Sequence, residues 1–300
     1  MSKFIHFLLA ISLTAHGAFV NLEDCDLLDL SWPFDADTIY WPGAKSFKLV
    51  DPIDVALKMI IFGLRRTPFF YTAYNMEAAE HGGTHLDAPV HFAEGKHTTD
   101  QIPIDSLIGE ACVIDVSSKA AADTDYQLSI DDITDFEQVH GVTVTDCVLL
   151  MRTDWSLRWP NRTAYLGTAD NTAKNLHFPG VHSDTAQWLV DNRRLRAFGL
   201  DTASMDYGQS KMFRTHQIFG AKNIPGIENL SNLDRLPARG ATFVGAVMKI
   251  KAGSGGPIRA FAFGHQGQSD PCRRAVTSAA TQLDDSLSVW VVVMILAIVI

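Results

Sequence analysis

Eleven consecutive residues carry four candidate metal ligands, His81-Gly-Gly-Thr-His85-Leu-Asp87-Ala-Pro-Val-His91, at spacings of 4, 6 and 10 from the first. Packing gives little reason for that density. A His-His-carboxylate set that leaves coordination positions open to water typifies catalytic rather than structural metal sites. A His-x-x-x-His pair shares one face when it lies on a helix, yet Gly82, Gly83 and Pro89 all oppose a helix interior here. The stretch is therefore expected to be a loop entering a short strand, with His85, Asp87 and His91 on one parity of that strand. The two glycines let the backbone turn so that His81 joins them. His140 and His177 stand alone and read as ordinary turn or core histidines.

A divalent ion held by neutral imidazoles and one carboxylate keeps net positive charge, so it lowers the pKa of water and polarises a carbonyl. Water attack on an amide also needs a proton carrier for the departing nitrogen, and His91 is the candidate. The sequence has no Gly-x-Ser-x-Gly elbow and no Walker-type phosphate loop.

The cluster resembles the HxGTHxDxPxH motif of the cyclase-like metal hydrolases, which include bacterial kynurenine formamidase and isatin hydrolase. Each fixed position of that motif is filled. Similarity continues through Asp29-Leu-Ser31, Trp41-Pro-Gly43, Leu150-Met-Arg152-Thr153 and Phe198-Gly-Leu-Asp201-Thr-Ala-Ser204-Met-Asp206, so it covers most of the span from Leu27 to Phe263. The resemblance implies that His81, His85 and Asp87 bind a first ion, that Asp87 can bridge, and that His91 lies at a second ion or serves as acid/base. It further implies that His216 and Glu228, twelve residues apart and after Ser210-Lys211, complete the second site. The implied cofactor is one or two divalent ions, zinc or manganese. The implied fold is a layered β/β/α single domain of the α/β class, commonly assembled as a homo-oligomer. One departure is Ala44, where many relatives carry an acidic residue after Trp-Pro-Gly.

Composition agrees with one catalytic domain, residues 19–275, flanked by processing signals. The hydrophobic content of 47% is ordinary for a globular enzyme, and the net charge of -9 gives no electrostatic reason to bind nucleic acid. The Arg193-Arg194-Leu-Arg196 run reads as the solvated end of a helix. Residues 1–18 hold Lys3, an apolar run from Phe4 to Leu13 and small residues ending at Ala18, the pattern of a secretory signal peptide. Residues 276–300 hold Ser278-Ala-Ala280, a polar spacer with Asp284 and Asp285, and an apolar run from Val289 to Ile300. That run is shorter than the roughly 20 residues of a spanning helix, and it reads as a glycosylphosphatidylinositol signal. The expectation is an enzyme at the cell surface, tied to the membrane only through a lipid anchor. A simple hydrophobic anchor is the alternative.

The four cysteines, Cys25, Cys112, Cys147 and Cys272, suit an oxidising compartment and allow three pairings. Cys25 with Cys272 is preferred, and Cys112 and Cys147 read as buried thiols. Of two glycosylation sequons, Asn161 is expected to accept better than Asn229. Strand-like runs fall at residues 111–116, 147–151, 197–201, 242–248 and 258–263, and Ser183 to Leu195 reads as a helix with Ser183 as N-cap. Val55 to Tyr74 reads as a lid, a dimer contact or a core strand. Trp32, Phe34 and Trp41 are candidates for an aryl pocket or for core.

Together these readings predict a metal-dependent hydrolase of a small aromatic amide, first of all N-formyl-L-kynurenine. An isatin-type lactam hydrolase is the alternative. A secreted metal-binding protein without turnover and a carbonyl cyclase or dehydratase stay open.

Overall fold

The structure, a computed structural model, describes residues 25–50 and 73–264. The expected signal peptide and C-terminal tail, Cys272, and most of the Val55 to Tyr74 segment lie outside those residues.

In chain order the strands are β1 (Asp26–Asp29), β2 (Lys48–Val50), β3 (Asn75–Glu77), β4 (His85–Asp87), β5 (Ile108–Asp115), β6 (Gln127–Leu128), β7 (Cys147–Arg152), β8 (Gly180–Val181), β9 (Leu195–Leu200), β10 (Gly226–Glu228), β11 (Thr242–Val244), β12 (Gly255–Pro257) and β13 (Phe261–Gly264). The α-helices are α1 (Ser117–Ala122), α2 (Ile130–His140), α3 (Arg162–Leu166), α4 (Ser183–Asn192) and α5 (Arg214–Ala221). Among the described residues, one large sheet runs β1-β13-β11-β5-β7-β9-β10-β4-β12. Its centre, β5-β7-β9-β10, is parallel, whereas β4 runs antiparallel to both β10 and β12.

The central strands read as near-continuous apolar runs because both of their faces are covered. Alternation splits them cleanly. Cys112, Ile114, Leu149, Met151, Phe198 and Leu200 pack with Ile133 and Phe136 of α2, Ala186 and Leu189 of α4 and Phe219 of α5. Ala111, Val113, Val148, Leu150 and Ala197 point the other way and meet Leu86 of β4, Ile227 of β10, Phe243 of β11 and Ala262 of β13. Residues from both ends of the sheet thus close over the same core, giving the mixed α/β layering that the resemblance implied.

Several boundaries differ from the sequence reading. Helix α4 stops at Asn192 rather than Leu195, because β9 begins at Leu195 and Arg193 adopts extended backbone. His182, not Ser183, caps that helix, its Nδ1 accepting from the Asp184 N–H at 3.2 Å. Arg193 is not a free solvated end but forks onto Glu137 with two bonds of 2.7 Å. Helix α2 was not expected, although Ser129 and Asp132 form a reciprocal capping box and Gly141 ends it in the left-handed conformation. Cys112 and Cys147 are buried free thiols. Asn161 is exposed, while Asn229 is 3% exposed.

Candidate metal centre

Strand β4 carries the centre of the motif. Its alternation turns His85 and Asp87 to one side and sinks Leu86 into the core. Pairing with β10 sets Glu228 opposite His85, and pairing with β12 sets Gly255 opposite Asp87. His81 precedes the strand. Gly83, at φ +55°, makes the turn that returns it to the site, and a side chain there would also strike Phe34. His91 does not continue the strand. Pro89 opens a 3-10 turn over Pro89–His91, which its fixed φ favours, so His91 reaches the site from that turn and the parity argument does not apply to it.

His216 arrives on α5, and Asp206 holds it there. One Asp206 oxygen accepts from the Thr215 N–H at 3.2 Å, and the other accepts from the His216 N–H at 3.2 Å and pairs with His216 Nδ1 at 2.6 Å. The same carboxylate therefore caps the helix and fixes the ring, as second-layer carboxylates do for metal-binding histidines. Phe213, just before the helix, sits at φ 49°, an uncommon conformation for an aromatic residue, and its ring forms part of the site wall.

Five of the six expected ligands converge as two overlapping sets. His81, His85 and Asp87 bring ligand atoms within 4.8 Å of one another, and so do Asp87, His216 and Glu228. Asp87 belongs to both. Its Oδ1 lies 2.5 Å from His81 Nδ1 and 3.2 Å from His85 Nε2, while Oδ2 lies 3.1 Å from His216 Nε2. Glu228 lies 3.2 Å from His216 Nε2 and 3.5 Å from His85 Nε2. His91 stands outside both sets and stacks on His81 with ring centroids 3.9 Å apart.

The buried nitrogen of His85 tests whether a cation suits the site. Its Nδ1 donates to the Gly83 carbonyl at 2.9 Å, which turns Nε2 toward the carboxylates. That Nε2 is buried with no hydrogen-bond partner, yet carboxylate oxygens of Asp87 and Glu228 face it. Lone pairs converging in a buried space call for positive charge between them. Protons supply it in the absence of an ion. Burial opposes charge on His85 and His216, but the carboxylates around them raise both imidazoles above their ordinary value, His216 strongly. Burial likewise opposes charge on Asp87, yet His216, His81 and His85 hold its carboxyl well below the usual range. A divalent ion can take the place of those protons, so the residues fit one. His91 differs. Burial, reinforced by the charges of His81 and His216 against that of Asp87, pushes its imidazole down to about 4, so it is neutral near pH 7.

Above the ligands opens a cavity of about 410 Å³, walled by Ile39, Tyr40, Trp41, Phe92 and Phe213, with Ala44 at its edge. Trp41 meets Phe213 edge-on at 5.9 Å, and Phe92 lies 5.2 Å from Phe213. Of the three aromatics picked from sequence, Trp41 lines the cavity, whereas Trp32 stacks on Trp159 and Phe34 packs edge-on against Phe47. Phe92 and Phe213 were not foreseen, though Phe92 directly follows the motif. Asp206 lay inside a stretch already matched, but its capping role needs the fold to be seen.

A family model described as "Putative cyclase" matches residues 28–207. The chain belongs to the cyclase family. Cyclase-family relatives include isatin hydrolase from Roseibium aggregatum, 38% identical over 204 residues that cover 65% of this chain and 75% of that protein. The kynurenine formamidase of Bacillus thuringiensis is 23% identical over 240 residues, covering 80% and 98%. Among solved structures, isatin hydrolase A from Labrenzia aggregata bound to benzyl benzoate superimposes with a TM-score of 0.70 at 30% identity, covering 80% of this chain and 94% of that one. Such kinship makes this chain a cyclase-family hydrolase, and with the two ligand sets it supports a divalent metal as cofactor.

Proposed function

We propose that the enzyme hydrolyses the C–N bond of a small aryl amide at the Asp87-centred site. The observation that carries this reading is the pair of ligand sets sharing Asp87 at the base of an aromatic-walled cavity. N-formyl-L-kynurenine, giving kynurenine and formate, is one substrate of that class. An isatin-type cyclic amide is the other, and it is favoured by the relative at 38% identity and the structural neighbour at 30%. Both present an aryl nitrogen bonded to a carbonyl.

His81, His85 and Asp87 would hold a first ion, and Asp87, His216 and Glu228 a second. When bound, such an ion supplies Lewis acidity toward the carbonyl and lowers the pKa of water. The protein supplies the rest. Trp41, Phe92 and Phe213 hold the aryl ring and exclude bulk water. His91, neutral before reaction, accepts the proton of the attacking water and returns it to the nitrogen as the C–N bond breaks. The identity of the ion as zinc or manganese, and placement of the enzyme at the cell surface, belong to the same proposal; the composition of the two chain ends supports the latter.

The deciding experiment measures metal content of the purified protein beside absorbance assays with N-formylkynurenine and isatin, before and after chelation. Chelator-sensitive turnover of either substrate supports the reading and selects between them. Bound metal with neither activity would reject aryl-amide hydrolysis.

A further inference from the structure

The imidazole of His81 differs from its two neighbours in which nitrogen faces the cluster. His85 and His216 turn Nε2 inward, whereas His81 turns Nδ1 inward, toward Asp87 Oδ1 at 2.5 Å. Its outward Nε2 lies 3.0 Å from the Ser254 hydroxyl. That hydroxyl is committed elsewhere as a donor. Glu80 Oε2 accepts from Ser254 Oγ at 2.5 Å and from the Ser254 N–H at 3.1 Å. A hydroxyl has one proton, so once it is given to Glu80 the oxygen can only accept from His81. A proton of His81 is then fixed on Nε2, and Nδ1 is the nitrogen that faces Asp87 and the cluster. The backbone holds this arrangement close. The Ala88 N–H donates to the Ser254 carbonyl at 2.8 Å, joining the loop to the end of β4. A side chain on Gly255 would lie 2.5 Å from His81 Cε1 and 2.7 Å from the Leu86 carbonyl, so only glycine lets the loop approach the ring this closely.

We infer that Glu80 and Ser254 are positioning residues that fix the tautomer and orientation of His81 for ion binding, an inference that rests on the proposed metal reading. Neither residue reaches the reacting atoms. Their effect passes through His81 alone.

The test titrates Mn²⁺ or Zn²⁺ into the chelator-stripped full chain and reads the His81 tautomer by ¹⁵N NMR without metal. Ser254→Ala and Glu80→Ala are expected to weaken the first ion by about 10- to 100-fold, the usual range for second-layer partners. Glu80→Gln keeps an accepting oxygen for both donors and is expected to retain near-native affinity, as is Ser254→Thr. The Nε2-protonated signature of His81 should persist in Glu80→Gln and be lost in Ser254→Ala. A folded Ser254→Ala protein with native affinity and an unchanged tautomer would overturn the inference while leaving the metal site intact. Native ion uptake by His85→Ala would overturn the metal reading and this inference with it.

Discussion

The Asp87 carboxylate stands 3.1 Å from Nε2 of His216 although 129 residues separate the two. One oxygen of Asp87 serves the two histidines of its own motif, and the other serves the histidine of α5. This single side chain therefore joins a local motif to a distant helix.

Replacing Asp87 by Ala should remove both ions and leave three imidazoles without their shared acceptor. Turnover should fall by more than about 100-fold, beyond the range expected for an outer partner. Elemental analysis of the purified variant beside its kcat checks this, and full activity would sink the mechanism.

His216 and Glu228 belong to the second ligand set alone, although Glu228 also faces His85 at 3.5 Å. Their alanine variants should lose one ion of two and keep the His81-His85-Asp87 ion, measurable as the metal-to-protein ratio. Loss of all metal in His216→Ala would show that the two sets do not bind separately.

Metal and pH should be linked with a definite sign. In the stripped protein, His85 and His216 titrate above the ordinary imidazole value of 6.5, so their stabilising protons are present at low pH and lost as pH rises through the raised values. Asp87 and Asp206 titrate below 3.8, so their contribution is present above that value and lost only as pH falls through the depressed ones. Ion binding needs neutral imidazoles and strengthens as pH rises. The Tm difference between loaded and stripped protein should therefore widen as pH rises above 6.5 and through the raised imidazole values. A constant difference would contradict the proton-for-ion exchange.

Asp206→Ala removes a helix cap and the brace on His216 together. Stability should fall by about 1–2 kcal/mol from the cap, and affinity for the second ion by about 10- to 100-fold. Denaturant unfolding and metal titration read the two effects separately.

Tyr165 shares its one hydroxyl proton between the Asp201 carbonyl at 3.0 Å and Asn229 Oδ1 at 2.9 Å, deep in the protein. Asn229 in turn donates to Gly83 O at 2.8 Å beside His85, so Tyr165 braces the motif turn. Tyr165→Phe should cost about 1–3 kcal/mol by leaving buried acceptors unpaired, and a urea midpoint measures it.

The ligands of one motif were legible because they are contiguous and flanked by residues that refuse a helix. His216 and Glu228 were reachable only through family resemblance, since a His and a Glu twelve residues apart mean nothing until β10 and α5 are packed. Glu80, Ser254 and Asp206 escaped because each acts through another side chain, and tertiary geometry alone decides which hydroxyl or carboxylate faces which ring. Three of the four parallel strands, β5, β7 and β9, were visible as apolar runs, and β10 was not. The order in which they pair was not, because sequence periodicity reports which faces are buried and is silent about neighbours.

The ligand strand β4 lies between β10 and β12, both of which come from the last third of the chain. During synthesis, His85 and Asp87 emerge early and must wait, without either hydrogen-bonded neighbour, for partners that appear much later. Such non-local pairing is slow and comes late in folding. The two candidate ligand sets are therefore complete only in a chain extended past Glu228, and β4 gains its second hydrogen-bonded neighbour only once Pro257 has been made.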